Sequence, residues 1–542
     1  MTEKQTESGK RSFLARLLHK QSVAQAAIFV SLVTIMIKLV GFARDALVAH
    51  HFGATGQTDA FLIGMMVPNV LLGLVSTGLG TLIVPWYIDH RKQDPEQATT
   101  LVNQVTLVWG AAFLVVSVAV WTFAPQLVHL FAHSYVDGQY TLAVQVTRWL
   151  VPMGFFNVMT GLFIGLSQAE GQFLLPLVAN LVGNTILLGC IYVFSSRLGI
   201  HSWTLGQSIM AVVAFAPVAY LLFRRYHFFR TLDLRHMDWQ AIGRFALLLL
   251  PLVISGGGGS LNTMVDRWFA TRLTAGSVSS LDFANRIWTL PMTLIATPMA
   301  TAVFPWFSSM AVDGTKLQAF DDKVKKTITF IAYLIIPCTV GLVVLAQPIV
   351  RMLFQRGAFD ATATRLTAAC VQMYALGLIS QATFPIFHRV FFSFKDTTTP
   401  LIVGVTMIAI NAVTDYYFGK WLGASGIALS TTAAVTIGMV MDAFLVRRYF
   451  RGEVRTMPPY PIVREGTKIL IACIPVVGIS LLGRSFVSGG TGFVSMAVRA
   501  VLVVGGAGVA YGVASVLLKL DSWQVVMNRL HRRAHPLESA GK

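Results

Sequence analysis

Apolar residues run in long blocks along most of this chain, and polar residues collect in the short gaps between them. The blocks do not alternate with a period of two, the mark of the roughly ten-residue strands of a membrane barrel. Most reach the roughly 20 residues a helix needs to cross the hydrocarbon core. The pattern predicts an all-α membrane protein with about fourteen transmembrane helices. They fall near 24–50, 59–88, 98–124, 141–168, 173–195, 203–223, 240–270, 279–310, 325–347, 362–391, 400–419, 424–446, 466–484 and 494–518.

The first block reads as a span and not as a cleaved leader. It follows a basic stretch (Lys4, Lys10, Arg11, Arg16, Lys20), runs on past Val40, and no small-residue cleavage site closes it. Most gaps are too short to fold into a domain. The longest, near 447–465, is basic and holds Pro458, Pro459 and Pro461. The predicted organisation is therefore a cytoplasmic basic tail at 1–20, a six-helix lobe at 21–225 and a second at 240–447. A linker with a final helix pair at 448–518 and a cytoplasmic tail at 519–542 follow.

The lobes carry a repeat. Asp59 precedes Pro68 by the same spacing as Asp282 precedes Pro291, and both spans close on T-x-x-x-P-W, at Thr81, Pro85, Trp86 and at Thr301, Pro305, Trp306. The offset is six spans, so the two copies run in the same direction, as in transporters built from parallel repeats.

Composition narrows the class. Only 12% of the residues are charged, about half the share of a soluble domain. A net charge of +18 would suit nucleic acid, but the basic residues cluster in segments expected to face the cytoplasm. Examples are Arg224, Arg225, Arg230 and Arg235, then Lys316, Lys323, Lys325 and Lys326, then Arg447, Arg448, Arg451, Arg455 and Arg464, and in the tail Arg529, Arg532 and Arg533. There they fix orientation, put both termini inside and meet anionic membrane lipids, so nucleic acid is not an expected partner. Cys190, Cys338, Cys370 and Cys473 fall inside apolar blocks without metal spacing. The run Ser255 to Ser260 follows no strand and reads as a bend in span seven, not as a phosphate loop. His531 and His535 belong to a solvated basic tail.

Charges inside spans are costly, about 2.5–3.5 kcal/mol on insertion scales, and mark cavities or partners. They include Lys38, Arg44, Asp45, Asp59, Arg148, Asp266, Arg267, Asp282, Arg286, Arg389, Asp415 and Asp442. Arg44 and Arg286 lie one in each lobe. Projecting into a shared cavity, two guanidinium forks would suit a diphosphate. The competing reading is internal pairing, Arg44 with Asp45 or Asp59 and Arg286 with Asp282. Asn411 and Asp415 stand four apart on one helix face. With Asp266 they suggest a small hard cation, a proton carrier, or a plain interhelical clamp.

The segment K-L-V-G-F-A-R-D-A-L-V-A (Lys38 to Ala49), followed by T-D-A-F and V-P-N (Thr58 to Asn69), resembles the MurJ (MviN) lipid II flippase family of the multidrug/oligosaccharidyl-lipid/polysaccharide exporter superfamily. F-A-N-R-I-W-T-L-P (Phe283 to Pro291), L-F-Q-R-G-A-F (Leu353 to Phe359) and K-D-T-T-T-P (Lys395 to Pro400) are similar to further motifs of that family. The resemblance implies two six-helix lobes with a cavity for the diphosphate-sugar headgroup, and a groove for the lipid tail on the last two helices. It implies Arg44, Arg286 and Lys38, with Asp45 and Asp59 beside them, as headgroup-binding residues. It also implies Asp266, Asn411, Asp415 and Thr431, with the Ile427 carbonyl, as a sodium site. Where many members carry a basic pair, this chain has Leu72 and Gly73, and Thr77 and Asn285 replace acidic residues.

The expectation is a flippase, not an enzyme, for undecaprenyl-diphosphate-linked lipid II. It would lie multi-pass in the bacterial inner membrane, work by alternating access and be driven by Na+, H+ or the membrane potential. No covalent cofactor is expected, and the cell-wall synthesis machinery is a candidate partner. The alternatives are another polysaccharide-linked polyprenyl lipid as cargo, a drug/cation antiporter of the same superfamily, a membrane glycosyltransferase, and a non-transporting scaffold.

Overall fold

The computed structural model describes residues 23–225, 228, 237–313, 317–450, 460–490, 492–524 and 527. The basic tails, most of the proline-bearing linker, and Arg230, Arg235, Lys316, Arg451, Arg455, Arg529, Arg532 and Arg533 lie outside those residues. Among the described residues there is no strand. Among the described residues eleven helical segments are long and apolar enough to cross a membrane, and a pair bent by 45° makes a twelfth. The other two of the fourteen expected spans are helical over 23–52 and 239–270 but are not among those twelve. In the second, only Trp239–Leu250 forms a shorter apolar stretch. Large apolar side chains face outward, Leu482 at 83% exposure and Trp421 at 75%, as a lipid solvent allows and water does not.

The chain forms two units, Met1–Ala275 and Gly276–Lys542. The first holds α1 (Val23–Phe52), α2 (Gly56–Pro68), a π turn (Asn69–Gly73), α3 (Leu74–Gln93), α4 (Pro95–Thr122), α5 (Ala124–Phe131), α6 (Asp137–Ala169), α7 (Leu174–Leu198), α8 (His201–Arg225) and α9 (Trp239–Ala270). Helix α6 lies at the centre, packed by α2, α3, α4 and α8, while α1 packs on α7. The repeat unit changes its helical winding where its proline falls. Pro68 has no N–H for the Gly64 carbonyl, and the helix goes over into the π turn at the next residue. The carbonyl is not orphaned, because the Thr147 hydroxyl of α6 lies 3.1 Å from it and shares its proton between it and the Ala143 carbonyl at 2.8 Å. Gly64 allows this approach: a Cβ there would stand 2.7 Å from the Ala143 carbonyl.

Helix α9, expected to open the second lobe, groups with the first unit. Phe245 is fully buried, with the Trp86 ring edge-on at 5.3 Å. At the far end Arg267 Nη1 donates to the Leu62 carbonyl at 3.1 Å, and Trp268 Nε1 to the Leu130 carbonyl at 3.1 Å. The glycine run 256–259 lies within this helix, as predicted.

The second unit holds α10 (Ser277–Pro291), a π turn (Met292–Ala296), α11 (Thr297–Asp313), α12 (Leu317–Phe354), α13 (Ala361–Leu376), α14 (Leu378–Ser393), α15 (Thr398–Leu422), α16 (Ala424–Val446) with a 3₁₀ turn (Arg447–Phe450), α17 (Tyr460–Ala472), α18 (Ile474–Ser488) and α19 (Phe493–Leu517). The repeat recurs here to the residue: the π turn begins immediately after Pro291, as it does after Pro68. Gly199 and Gly423, each at positive φ (53° and 62°), turn α7 into α8 and α15 into α16. The final helices dock on α12. There Pro337 leaves the Tyr333 carbonyl without its helical donor, and the Tyr511 hydroxyl of α19 supplies one at 2.7 Å.

The motif residues are largely structural. Phe283 meets Phe354 at 4.9 Å and Phe359 at 5.3 Å, joining two of the motifs in one aromatic cluster. Asp396 caps α15 by accepting from the Thr398 and Thr399 amides at 3.0 Å and is bound from across the unit by Arg448 and Tyr449.

Candidate functional site

In the first unit Arg44 extends from α1 towards α7. Its Nε and Nη2 donate to Asp45 Oδ1 at 3.0 and 2.9 Å, and its Nη1 donates to Asn184 Oδ1 at 3.4 Å. Asn184 is fixed in turn, donating to the carbonyl and side-chain oxygen of Asn180. Lys38, nearly two turns earlier on α1, is exposed. Asp59 is buried in another setting. It acts electrostatically, with Arg267, on Tyr135 in the loop before α6. Burial and then the Asp59 carboxylate push the Tyr135 phenol up from its usual range, and Arg267 draws it back in part.

In the second unit Arg286 repeats the Arg44 arrangement within one helix. Nε and Nη2 donate to Asp282 Oδ2 at 2.9 and 2.6 Å, one turn back on α10. Internal pairing, the competing reading of both arginines, is therefore present at both. It does not bury them fully: the Arg44 and Arg286 side chains remain 21% and 22% exposed. Asn285 accepts from Trp288 Nε1 at 2.6 Å, and Trp288 stacks on Tyr374.

The expected cation residues divide between the units. Asp266 lies on α9, where Asn262 Nδ2 stands 3.5 Å from its carboxylate. Asn411 and Asp415 on α15 and Ile427 and Thr431 on α16 belong to the second unit, all buried. Asn411 Nδ2 donates to Ser430 Oγ at 3.0 Å, which commits the amide nitrogen and turns the oxygen away from that serine. Thr431 Oγ1 donates to the Ile427 carbonyl at 3.3 Å. The donor set consists of oxygens in a water-poor place, which fits a hard cation such as Na+. Among the described residues no cluster of three His, Cys, Asp or Glu side chains offers a transition-metal site.

Sequence reasoning missed two ion clusters. Glu170, 3% exposed at the end of α6, accepts from Tyr87 at 2.7 Å and from Arg91 at 2.5 Å. Its place in an Ala-Glu-Gly-Gln segment reads as a loop. Asp442 of α16 was visible as an intramembrane charge, but its neighbour His388 on α14, 3.6 Å away, was not.

Comparison with known proteins follows the same lines. The family model described as "Lipid II flippase MurJ" matches residues 48–501. A probable lipid II flippase MurJ from Bdellovibrio bacteriovorus is 24% identical over 465 residues, 84% of this chain and 88% of its own. The lipid II flippase MurJ of Burkholderia cenocepacia is 26% identical over 438 residues, 78% and 82% of the two chains. The solved structure of a lipid II flippase MurJ in an inward closed conformation superimposes with a TM-score of 0.74 at 22% identity, covering 91% of this chain and 99% of that one. An inward-facing multidrug resistance MATE family transporter of the MOP superfamily reaches a TM-score of 0.64 at 14% identity over 77% of this chain and 96% of its own. Motifs, repeat and fold thus agree with a match that spans most of the sequence, and the chain belongs to the MurJ lipid II flippase family.

Proposed function

We propose that this chain, a lipid II flippase working by alternating access, meets the phosphate oxygens of its lipid-linked diphosphate through Arg44 in the first unit and Arg286 in the second. The observation that carries this is the state of the two guanidinium groups. Each is pre-oriented on a carboxylate oxygen, on a side chain that is still about a fifth exposed. A phosphate offers the same acceptor geometry with more charge, so it can share or replace the carboxylate. Asp45 orients Arg44 and Asp282 orients Arg286, Asp59 adds a buried negative charge of the first unit, and exposed Lys38 adds a further positive contact. No covalent chemistry by the protein is needed.

In the second unit Asn411, Asp415, Thr431 and the Ile427 carbonyl would hold a coupling cation, Na+ or H+, and in the first unit Asp266 is a separate candidate carboxylate for it. Both termini are cytoplasmic in this reading, because the basic segments then fall on the inner side. The outer faces of α18 and α19, with Leu482 and Val494 strongly exposed, receive the polyprenyl tail.

Leu72 favours a second cargo, another polysaccharide-linked polyprenyl lipid. It is fully buried, and a Cβ on Gly154 would stand 2.5 Å from its Cδ1. No basic side chain fits there without rebuilding that packing. Vesicles carrying labelled lipid II separate the readings. Wild-type protein exposes the label on the far leaflet and Arg286→Ala does not. A chain that moves no lipid II but rescues another polyprenyl-linked glycan belongs to the second.

A further inference from the structure

One carboxylate of the second unit has no part in the roles above. Asp442 on α16 is 0% exposed, and neither of its oxygens accepts a hydrogen bond. The basic group beside it is the His388 imidazole of α14, whose Nε2 lies 3.6 Å from Oδ2, beyond hydrogen-bonding range. Nε2 has no other hydrogen-bond partner. Phe384 covers the ring at 4.0 Å between centroids, and Phe392 lies at 6.1 Å.

Charged side chains on the surrounding helices are engaged elsewhere. From Thr398 to Thr414, α15 has no titratable side chain, and Met407 of that stretch packs at Gly438 beside this end of α16. Arg389 is the charge that acts on the imidazole, but its guanidinium lies 4.7 Å over the Phe304 ring of α11. On α12, Lys325 pairs with Asp321 and Lys323 lies over Trp306. On the 3₁₀ turn, Arg448 and Tyr449 are held by Asp396 and Arg447 lies over Phe444. On α10, Asp282 and Arg286 hold each other. Arg365, Cys370 and Tyr374 of α13 lie on the other side of the bend at Gly377.

A net charge in such a place is strongly disfavoured. The pair is neutral overall only with one proton between them, on the carboxyl or on the imidazole. We infer that the buried Asp442 carboxyl and the partly exposed His388 imidazole form a proton-binding site, which holds a single proton while α14 and α16 are packed together and gives it up to water when the carboxylate is hydrated. Release leaves an aspartate, a neutral imidazole and a hydronium ion. The site stands apart from the arginines and the cation residues, and its test needs no lipid.

Infrared difference spectra of the purified full-length protein, taken between acidic and alkaline pH, read the carbonyl stretch of a protonated carboxylic acid. The wild type is expected to show a band for an acid that makes no hydrogen bond, persisting through neutral pH. Asp442→Asn loses that band and Asp415→Asn keeps it. His388→Gln moves the pH at which it disappears. A wild-type spectrum without the band, or a band that survives in Asp442→Asn, overturns the inference. If Asp442→Asn does not fold, Asp442→Glu serves: the band must change frequency, and an unchanged frequency overturns the inference equally.

Discussion

Arg286 donates from both Nε and Nη2 to a single oxygen of Asp282, one turn earlier on the same helix. The carboxylate thus sets the plane of the guanidinium and not merely its charge. Arg286→Lys keeps the charge and loses the fork. A charge-assisted hydrogen bond contributes about 1.5–3 kcal/mol, so lipid flipping by Arg286→Lys should fall about 10- to 100-fold with the fold intact. Wild-type flipping rates from that variant, measured in vesicles, would remove Arg286 from substrate contact.

The Thr147 hydroxyl supplies the Gly64 carbonyl with the donor that Pro68 lacks. Thr147→Val keeps the volume and leaves that carbonyl buried without it. The expected loss is about 1–3 kcal/mol, while Thr147→Ser stays near wild type. Thermal unfolding in detergent compares the two. Equal midpoints for valine and serine would mean the bond carries no weight.

Asp396 gives the protein an acid-sensitive joint. Burial raises its carboxyl, but hydrogen bonds from Thr399 and Tyr449 and the Arg448 guanidinium outweigh this and bring it down to about 2. An unfolded aspartate titrates near ~3.9. A group lowered on folding contributes stability that is complete above the unfolded value and lost as pH falls through the folded one. Stability should therefore drop between about pH 4 and pH 2, and Asp396→Asn should flatten that part of the curve. Parallel slopes for the two proteins would assign the acid loss to other carboxylates.

If Asn411, Asp415 and Thr431 bind a cation, Na+ stabilises the folded protein by mass action. The unfolding midpoint of the wild type should rise with NaCl relative to choline chloride, and Asp415→Asn should abolish the difference. A midpoint insensitive to Na+ in the wild type would leave Asn411 as half of the interhelical clamp that it forms with Ser430.

What the sequence determined by itself is the solvent and the punctuation. Blocks too apolar for water had to be helices, and the prolines at 68 and 291 mark where two of them go over into π turns, because a missing N–H is a local fact. The arginines at 44 and 286 were legible for the same reason: hydrocarbon rejects charge wherever it falls in a span. Tertiary structure decided the partners. Asn184 lies 140 residues from Arg44, Glu170 lies 79 from Arg91, and Ser515 lies 182 from Tyr333. It also placed α9 with the first unit, where the six-span repeat had assigned it to the second. Helices that are apolar on every side carry no periodic mark of which face meets which neighbour. That choice is made by close packing at small residues and by the polar groups that must find one another once water is gone.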